Sequence, residues 1–216
     1  MHNNCRHLNS GRKAGEDDMV FKVLQLPWHV AAPSQPDLTI RRLEPRDRDT
    51  FVAHLHELTF DDFRDRFNGV VSDHWLIDYV EKSLAEAIVL GAFDGGHLVA
   101  VSELHCEGGT PDGFGESAFS VASSFRRKGI GTLLITALLE AANENDVHTV
   151  IVETGPQNVA MRELARKFGA SMHYEDSMSV GQIDVAHGLE TAECSIAKFK
   201  PIVFQPARVE HLKLTA

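Results

Sequence analysis

The chain has 216 residues, 43% of them hydrophobic, which suits one generous domain or two small ones and is too apolar for a disordered chain. Asp and Glu number 31 against 21 Lys and Arg, a formal net charge of −10, so the average field attracts neither nucleic acid nor anionic lipid. Cys5, Cys106 and Cys194 form no C-x-x-C pair, no histidine pair has metal-ligand spacing, and no 18-residue apolar run exists, so neither a metal nor a membrane span is expected.

Met1 to Asp18 is polar and lacks the apolar core of a signal peptide, so a reducing cytoplasmic compartment is the expectation. Residues 1–36 read as a partly flexible N-terminal extension around one apolar run, Val20 to Val30. A body follows over 37–188. Leu38 to Leu43 alternates as a half-buried strand does, and Pro45 ends it. Phe51, Val52, Leu55 and Leu58 then take helical spacing. Thr59 and Ser72 stand where caps of two further helices belong.

Ala87 to Phe93, the turn Asp94-Gly95-Gly96 and His97 to Leu104 read as a β-hairpin. A glycine-rich loop over 107–115 leads to a strand at Ser117 to Val121. Ile130, Leu133, Leu134, Ala137, Leu138 and Ala141 mark an amphipathic helix. Val147 to Val152 is a buried strand. Met161, Leu164, Ala165 and Phe168 mark a second helix, closed by Gly169. Residues 171–185 make a final hairpin, and 189–216 are a weakly patterned, basic C-terminal extension. This order predicts an α/β layered domain, a single mixed, mostly antiparallel sheet flanked by helices.

Chemistry concentrates in Phe125-Arg126-Arg127-Lys128-Gly129-Ile130-Gly131-Thr132. Three cations precede two glycines, and a helix opens directly after them. Unpaired N–H groups at a helix start, with glycines that admit close approach, suit a pyrophosphate. The P-loop pattern is absent, and Leu134 stands where a dinucleotide fingerprint needs its third glycine. R-x-x-G-x-G, Arg126 to Gly131, remains; its plainer alternative is a basic turn before a helix.

In context, the stretch resembles the GNAT family of acyl-CoA-dependent N-acetyltransferases. The resemblance runs from Leu38 to about Val185. It is carried by Leu38 to Arg41 with Pro45 and Asp47, by Phe119-Ser120-Val121 with Arg126 to Gly131, and by Asn158-x-x-Met161 with Lys167 to Ala170. Glu116 opening the fourth strand, and the pair Arg66-Phe67, are most similar to the GNAT domain of bacterial protein lysine acetyltransferases.

The resemblance implies a GNAT-type fold that takes acetyl-CoA as co-substrate. Its pyrophosphate would meet the N–H groups of Lys128, Gly129, Ile130, Gly131 and Thr132, with charge from Arg126 and Arg127 or Lys128. The pantetheine arm would lie in a splay between the fourth and fifth strands. The Val121 N–H would polarise the thioester carbonyl. Asn158 and Met161 would flank the cofactor, though Asn158 equally suits a helix cap. Glu116, 13 residues before Gly129, would be the general base, its pKa raised by burial, with Glu103 second. The alternative for Glu116 is a solvated loop-end carboxylate. The family's general-acid tyrosine is missing: Ala165 holds its place, and Tyr174 lies in the next strand.

The acceptor would be a protein lysine or a small cationic amine, drawn by Asp61, Asp62, Asp65, Glu103, Glu107, Asp112 and Glu116; ordinary loop acidity explains these charges too. His54, His56 and His74 could serve the acceptor side or the surface. An exposed sheet edge and two extensions would accommodate a homodimer. A non-catalytic acyl-CoA-binding regulatory module is the alternative function.

Overall fold

The computed structural model describes residues 38–67, 69–106, 113–196 and 203–204. The expected N-terminal extension, Cys5, and Glu107 and Asp112 lie outside them. The elements, in chain order, are β1 (Leu38–Arg42), α1 (Arg48–His56), α2 (Phe60–Phe67), α3 (Asp73–Glu86), β2 (Ile88–Asp94), β3 (His97–His105), β4 (Phe114–Val121), α4 (Ile130–Glu144), β5 (Thr149–Thr154), α5 (Val159–Lys167), β6 (His173–Glu175), β7 (Met178–Asp184), α6 (Val185–Ile196) and β8 (Val203–Phe204). They build one sheet ordered β6-β7-β5-β4-β3-β2-β1-β8. All neighbours are antiparallel except β4–β5 and β1–β8.

Local chemistry fixes the ends of the elements. Asp47 accepts from both Arg41 guanidinium nitrogens at 2.8 Å and from the Glu44 N–H at 2.9 Å, which closes the turn after β1. The Arg41 hydrogen bond holds the Asp47 carboxyl below its usual range. Ser72 Oγ accepts from the Trp75 N–H, and Thr59 Oγ1 from the Asp62 N–H, each at 3.3 Å. Both are the caps expected from the sequence. Gly95 and Gly96 take positive φ in the β2–β3 turn.

Each sheet face carries its own core. On one face α4, α5 and α6 pack with Ile40, Ala92, Leu104, Val150 and Ile183. On the other, Phe51 and Leu55 of α1 and Leu76 and Val80 of α3 meet Val89, Leu98 and Val101. Helix α2 buries no residue fully; Phe63 and Phe67 only lean on the second core.

Two boundaries differ from the sequence reading. β4 starts at Phe114, three residues early, because Gly113 carbonyl accepts from the His148 and Thr149 N–H groups and zips the strand to β5. Gly115 hides this start from pattern reading; a Cβ there would meet Leu104 at 2.7 Å. Helix α6 runs through the boundary expected after residue 188. Its Gly188 lies against Leu139, 2.8 Å from where a Cβ would stand, so a residue that weakens helix propensity is what lets α6 approach α4. That contact explains why α4 is buried on more than its expected stripe, at Ile135, Leu139 and Ala142.

His54 ties α1 to the sheet. It is 1% exposed, and its Nε2 lies 2.9 Å from Ser120 Oγ. Loss of hydration by burial drives its pKa down to about 4. The unfolded chain returns to the ordinary value of ~6.5 and binds more protons below it. Stability from the neutral ring is therefore full above about pH 6.5 and drains as pH falls toward 4. Denaturant titrations should show a loss approaching about 3 kcal/mol by pH 4 from this group. His54→Gln should flatten that slope; a wild-type stability that is level between pH 7 and 4.5 would contradict it.

Candidate active site

β4 and β5 run in parallel register from Phe114↔Thr149 to Ser117↔Val152 and then part. Each keeps its other neighbour: Val121 is still opposite Ala100 on β3, and Thr154 opposite Ser179 on β7. At the last paired rung Ser117 Oγ donates to the Ile151 carbonyl at 2.8 Å. The Ala122 N–H turns to Val99 on β3 at 2.9 Å. Alternation of peptide groups along a strand then aims the N–H groups of Phe119 and Val121 into the gap.

The gap opens into a cavity of about 770 Å³. Its lining includes Glu116 to Val121 of β4, Val152 to Thr154 of β5, Asn158 and Met161 beside α5, and Arg126, Arg127, Gly129, Ile130 and Gly131 at the start of α4. The loop before α4 is shaped for N–H presentation. Arg127 takes φ 59° and Gly129 φ 85°, and Gly129 is the N-cap residue of α4. The first intrahelical bond runs from the Leu133 N–H to the Gly129 carbonyl at 3.2 Å. Ile130, Gly131 and Thr132 precede it, so their N–H groups have no partner within the helix. The helix dipole adds positive potential at the same place.

The cations divide. Arg126 Nε donates to the Val121 carbonyl at 3.1 Å, and its guanidinium pairs with Asp62 of α2 at 2.6 Å. It ties the end of β4 to α2. Lys128 Nζ stands 4.7 Å from the centre of the Phe125 ring. Lys167, read from the sequence as part of the resemblance and not as a charge at this loop, reaches Thr132 Oγ1 at 3.4 Å from the end of α5. Asn158 Oδ1 accepts from the Met161 N–H at 3.0 Å and so caps α5.

The far wall belongs to α2, α3 and β3. Glu103 is 2% exposed. It pairs with Arg66 at 2.5 Å, accepts from the Tyr79 hydroxyl at 2.6 Å, and lies 3.3 Å from His105 Nε2. Burial alone would push this carboxyl up; the Arg66 guanidinium, with donors on His105 and Tyr79, outweighs it and holds the pKa down at about 2. Burial and the Glu103 charge push the Tyr79 phenol up, so it stays protonated. Phe67, Trp75 and Tyr79 line the cavity beside these charges, with Trp75 stacked on Tyr79 at 5.3 Å.

This arrangement can be compared with known proteins. Residues 51–170 match the acetyltransferase (GNAT) family. The chain belongs to the GNAT acetyltransferase family. Among solved structures, the GNAT domain of S. lividans PAT is 20% identical, with 67% of this chain and 89% of that one covered at a TM-score of 0.59. PaiA N-acetyltransferase from Thermoplasma acidophilum, in complex with coenzyme A, is 18% identical over 68% and 98% of the two chains, TM-score 0.53. YncA from Salmonella typhimurium, a putative acetyltransferase with its cofactor acetyl-CoA, is 18% identical over 69% and 94%, TM-score 0.52. These likenesses confirm the expected GNAT fold.

Against the sequence reading, this GNAT domain brings Glu116, Val121, Arg126, Arg127, Gly129, Ile130, Gly131, Asn158 and Met161 to one cavity. Lys128 and Thr132 stand at the loop without lining it. Two expectations need correction. Glu116 is exposed rather than buried. Glu103 is an ion-paired carboxylate and too weak a base for an ammonium. His54 is a buried tie, while His56 and His74 pair with Asp73 and Asp78 at the surface. Removal of Arg66 would strand the Glu103 charge. Arg66→Leu should therefore cost about 3–5 kcal/mol in urea unfolding, with Glu103→Leu added in the same chain restoring most of it. A silent Arg66→Leu would contradict the pairing.

Proposed function

We propose that this GNAT domain transfers an acetyl group from acetyl-CoA directly to a cationic primary amine, a protein lysine or a small amine. The observation that carries the reading is the parted β4–β5 edge ending beside a left-handed Gly129 and free N–H groups. The residues fit the co-substrate. The α4 N-terminus and its loop would receive the pyrophosphate, with Arg127, Lys128 and Lys167 supplying charge and Asn158 and Met161 lining the arm. Arg126 contributes by fixing the β4 end.

Acetyl-CoA supplies an activated thioester, and the chain supplies orientation and polarisation. Phe119 and Val121 present the N–H groups that would meet a developing oxyanion. A strand rises ~3.3 Å per residue, which puts Phe119 about 10 Å and Val121 about 16 Å along β4 from Glu116. Phe119 is thus the donor nearer the carboxylate, and one bridging water would suit proton transfer. Glu116 would receive the ammonium and its proton. Asp65 and Glu153 share the lining and favour a cationic acceptor over an anionic one, while Asp62 there is already paired with Arg126.

Ala165, in the place of the family's tyrosine, is fully buried, and Tyr174 is 66% exposed outside the lining. Neither would protonate the departing thiolate, and a thiol with an ordinary pKa of ~8.5 leaves without such help.

The test is thiol release from acetyl-CoA across lysine peptides, polyamines and small amines. Amine-dependent release supports the proposal. Binding of acetyl-CoA without release under any amine marks an acyl-CoA-binding module instead. Gly129→Glu should abolish acetyl-CoA binding in titration calorimetry, because a carboxylate would face the phosphates; retained affinity would move the cofactor elsewhere. Glu116→Gln should lower turnover at neutral pH, about 10²-fold or more for a lost general base. The rate should recover at high pH while cofactor affinity holds. An unchanged neutral rate would remove Glu116 from the mechanism.

A further inference from the structure

Glu116 is a poor resting place for the acceptor's proton. An ordinary carboxyl titrates near ~4.3, far below the ~10.4 of a lysine ammonium, whereas an imidazole at ~6.5 is the stronger base at neutral pH. An imidazole stands beside it. β3 and β4 pair His105 directly with Glu116. Opposite residues of an antiparallel pair project from the same face, with Cβ atoms about 4.5–5.5 Å apart. His105 lines the same cavity and is partly exposed there.

The ring is oriented as a proton acceptor would be. Its Nε2 lies 3.3 Å from the buried Glu103 carboxylate, which Arg66 and Tyr79 hold in place from α2 and α3. A carboxylate only accepts, so Nε2 carries the hydrogen and donates it. Nδ1 keeps its lone pair, and it has no hydrogen-bond partner among the described residues.

We propose that His105 is the final acceptor of the proton removed from the incoming ammonium, oriented by Glu103 and fed through Glu116. This deepens the acetyltransfer reading and rests on it. The ammonium gives one proton to Glu116 and thence to His105 Nδ1, and its electron pair stays on nitrogen. That pair forms the N–C bond to the thioester carbonyl carbon. The C–S bond breaks with its electrons on the CoA thiolate, and the amide nitrogen sheds its second proton to water. The imidazolium later returns its proton to the thiolate or to solvent.

The charged groups facing the ring are Glu103 on β3 and Glu116 on β4, with Arg66 from α2. Tyr79 from α3 is neutral. Asp78, Lys82 and Glu86 of α3 face a second cavity, of about 410 Å³, which His105 also lines. Lys82 is paired there with Glu86.

His105→Gln in the full chain is the test. At pH 7 its kcat should fall at least tenfold with acetyl-CoA affinity unchanged. The acid limb of the wild-type pH–rate profile should vanish, leaving a rate that climbs toward the amine's own pKa. A variant with wild-type kcat and profile overturns the proposal while the acetyltransfer reading stands. A second readout needs no turnover. Long-range ¹⁵N NMR of the wild-type ring, assigned by its absence in His105→Gln, should show the Nε2–H tautomer; an Nδ1–H ring would overturn the proposal. If the wild-type chain acetylates no amine, the acetyltransfer reading fails and this proposal fails with it.

Discussion

The parting of β4 from β5 is the constraint on which the site depends. A parallel pair that continued to Val121 would bond the Phe119 and Val121 N–H groups to a neighbouring strand and close the sheet. Here both strands keep their outer partners, so the inner edges are held open by the sheet itself. Arg126 takes the Val121 carbonyl that a neighbouring strand would otherwise satisfy. Buried peptide groups are costly when unpaired. An edge kept open inside a domain is therefore a place built for a ligand backbone or amide, and the start of α4 lies at its end with further free donors.

The two sides of the cavity solve different electrostatic problems. The α4 side offers N–H groups, a helix dipole and the lysines Lys128 and Lys167, which suit a strongly hydrated polyanion. The opposite side buries a fixed charge pair, Arg66–Glu103, among Phe67, Trp75 and Tyr79. Such a pair gives little net stability, because desolvation offsets the attraction. Its effect here is positional. It fixes α2 and α3 against β3, and it orients His105 beside Glu116. The net charge of −10 is thus an average over a cationic loop and an acidic approach.

Much of this was legible in the chain. Leu38 to Arg42, the Asp94-Gly95-Gly96 turn, the caps at Thr59 and Ser72, and the stripe of α4 follow local rules that the structure obeys. The loop before α4 was legible because glycine at a positive φ and clustered cations are local signals. The α6 helix was not, since Gly188 is chosen for its fit against Leu139, a contact 49 residues away in sequence (188 − 139). The fate of Glu103 and Glu116 was equally hidden. Two carboxylates of similar spacing differ because Arg66 and Tyr79 converge on one of them, and no sequence period encodes that convergence. The role of Arg126 turned on Asp62, a residue first read as acceptor-side charge.

The most direct test is to follow the backbone amides of the labelled chain by NMR as acetyl-CoA is added. The account predicts the largest shifts at Phe119, Val121 and the amides of Gly129 to Thr132, with the rest of the sheet quiet. Cofactor binding that leaves Phe119 and Val121 unmoved would contradict it, for the thioester would then lie outside the gap on which the account depends.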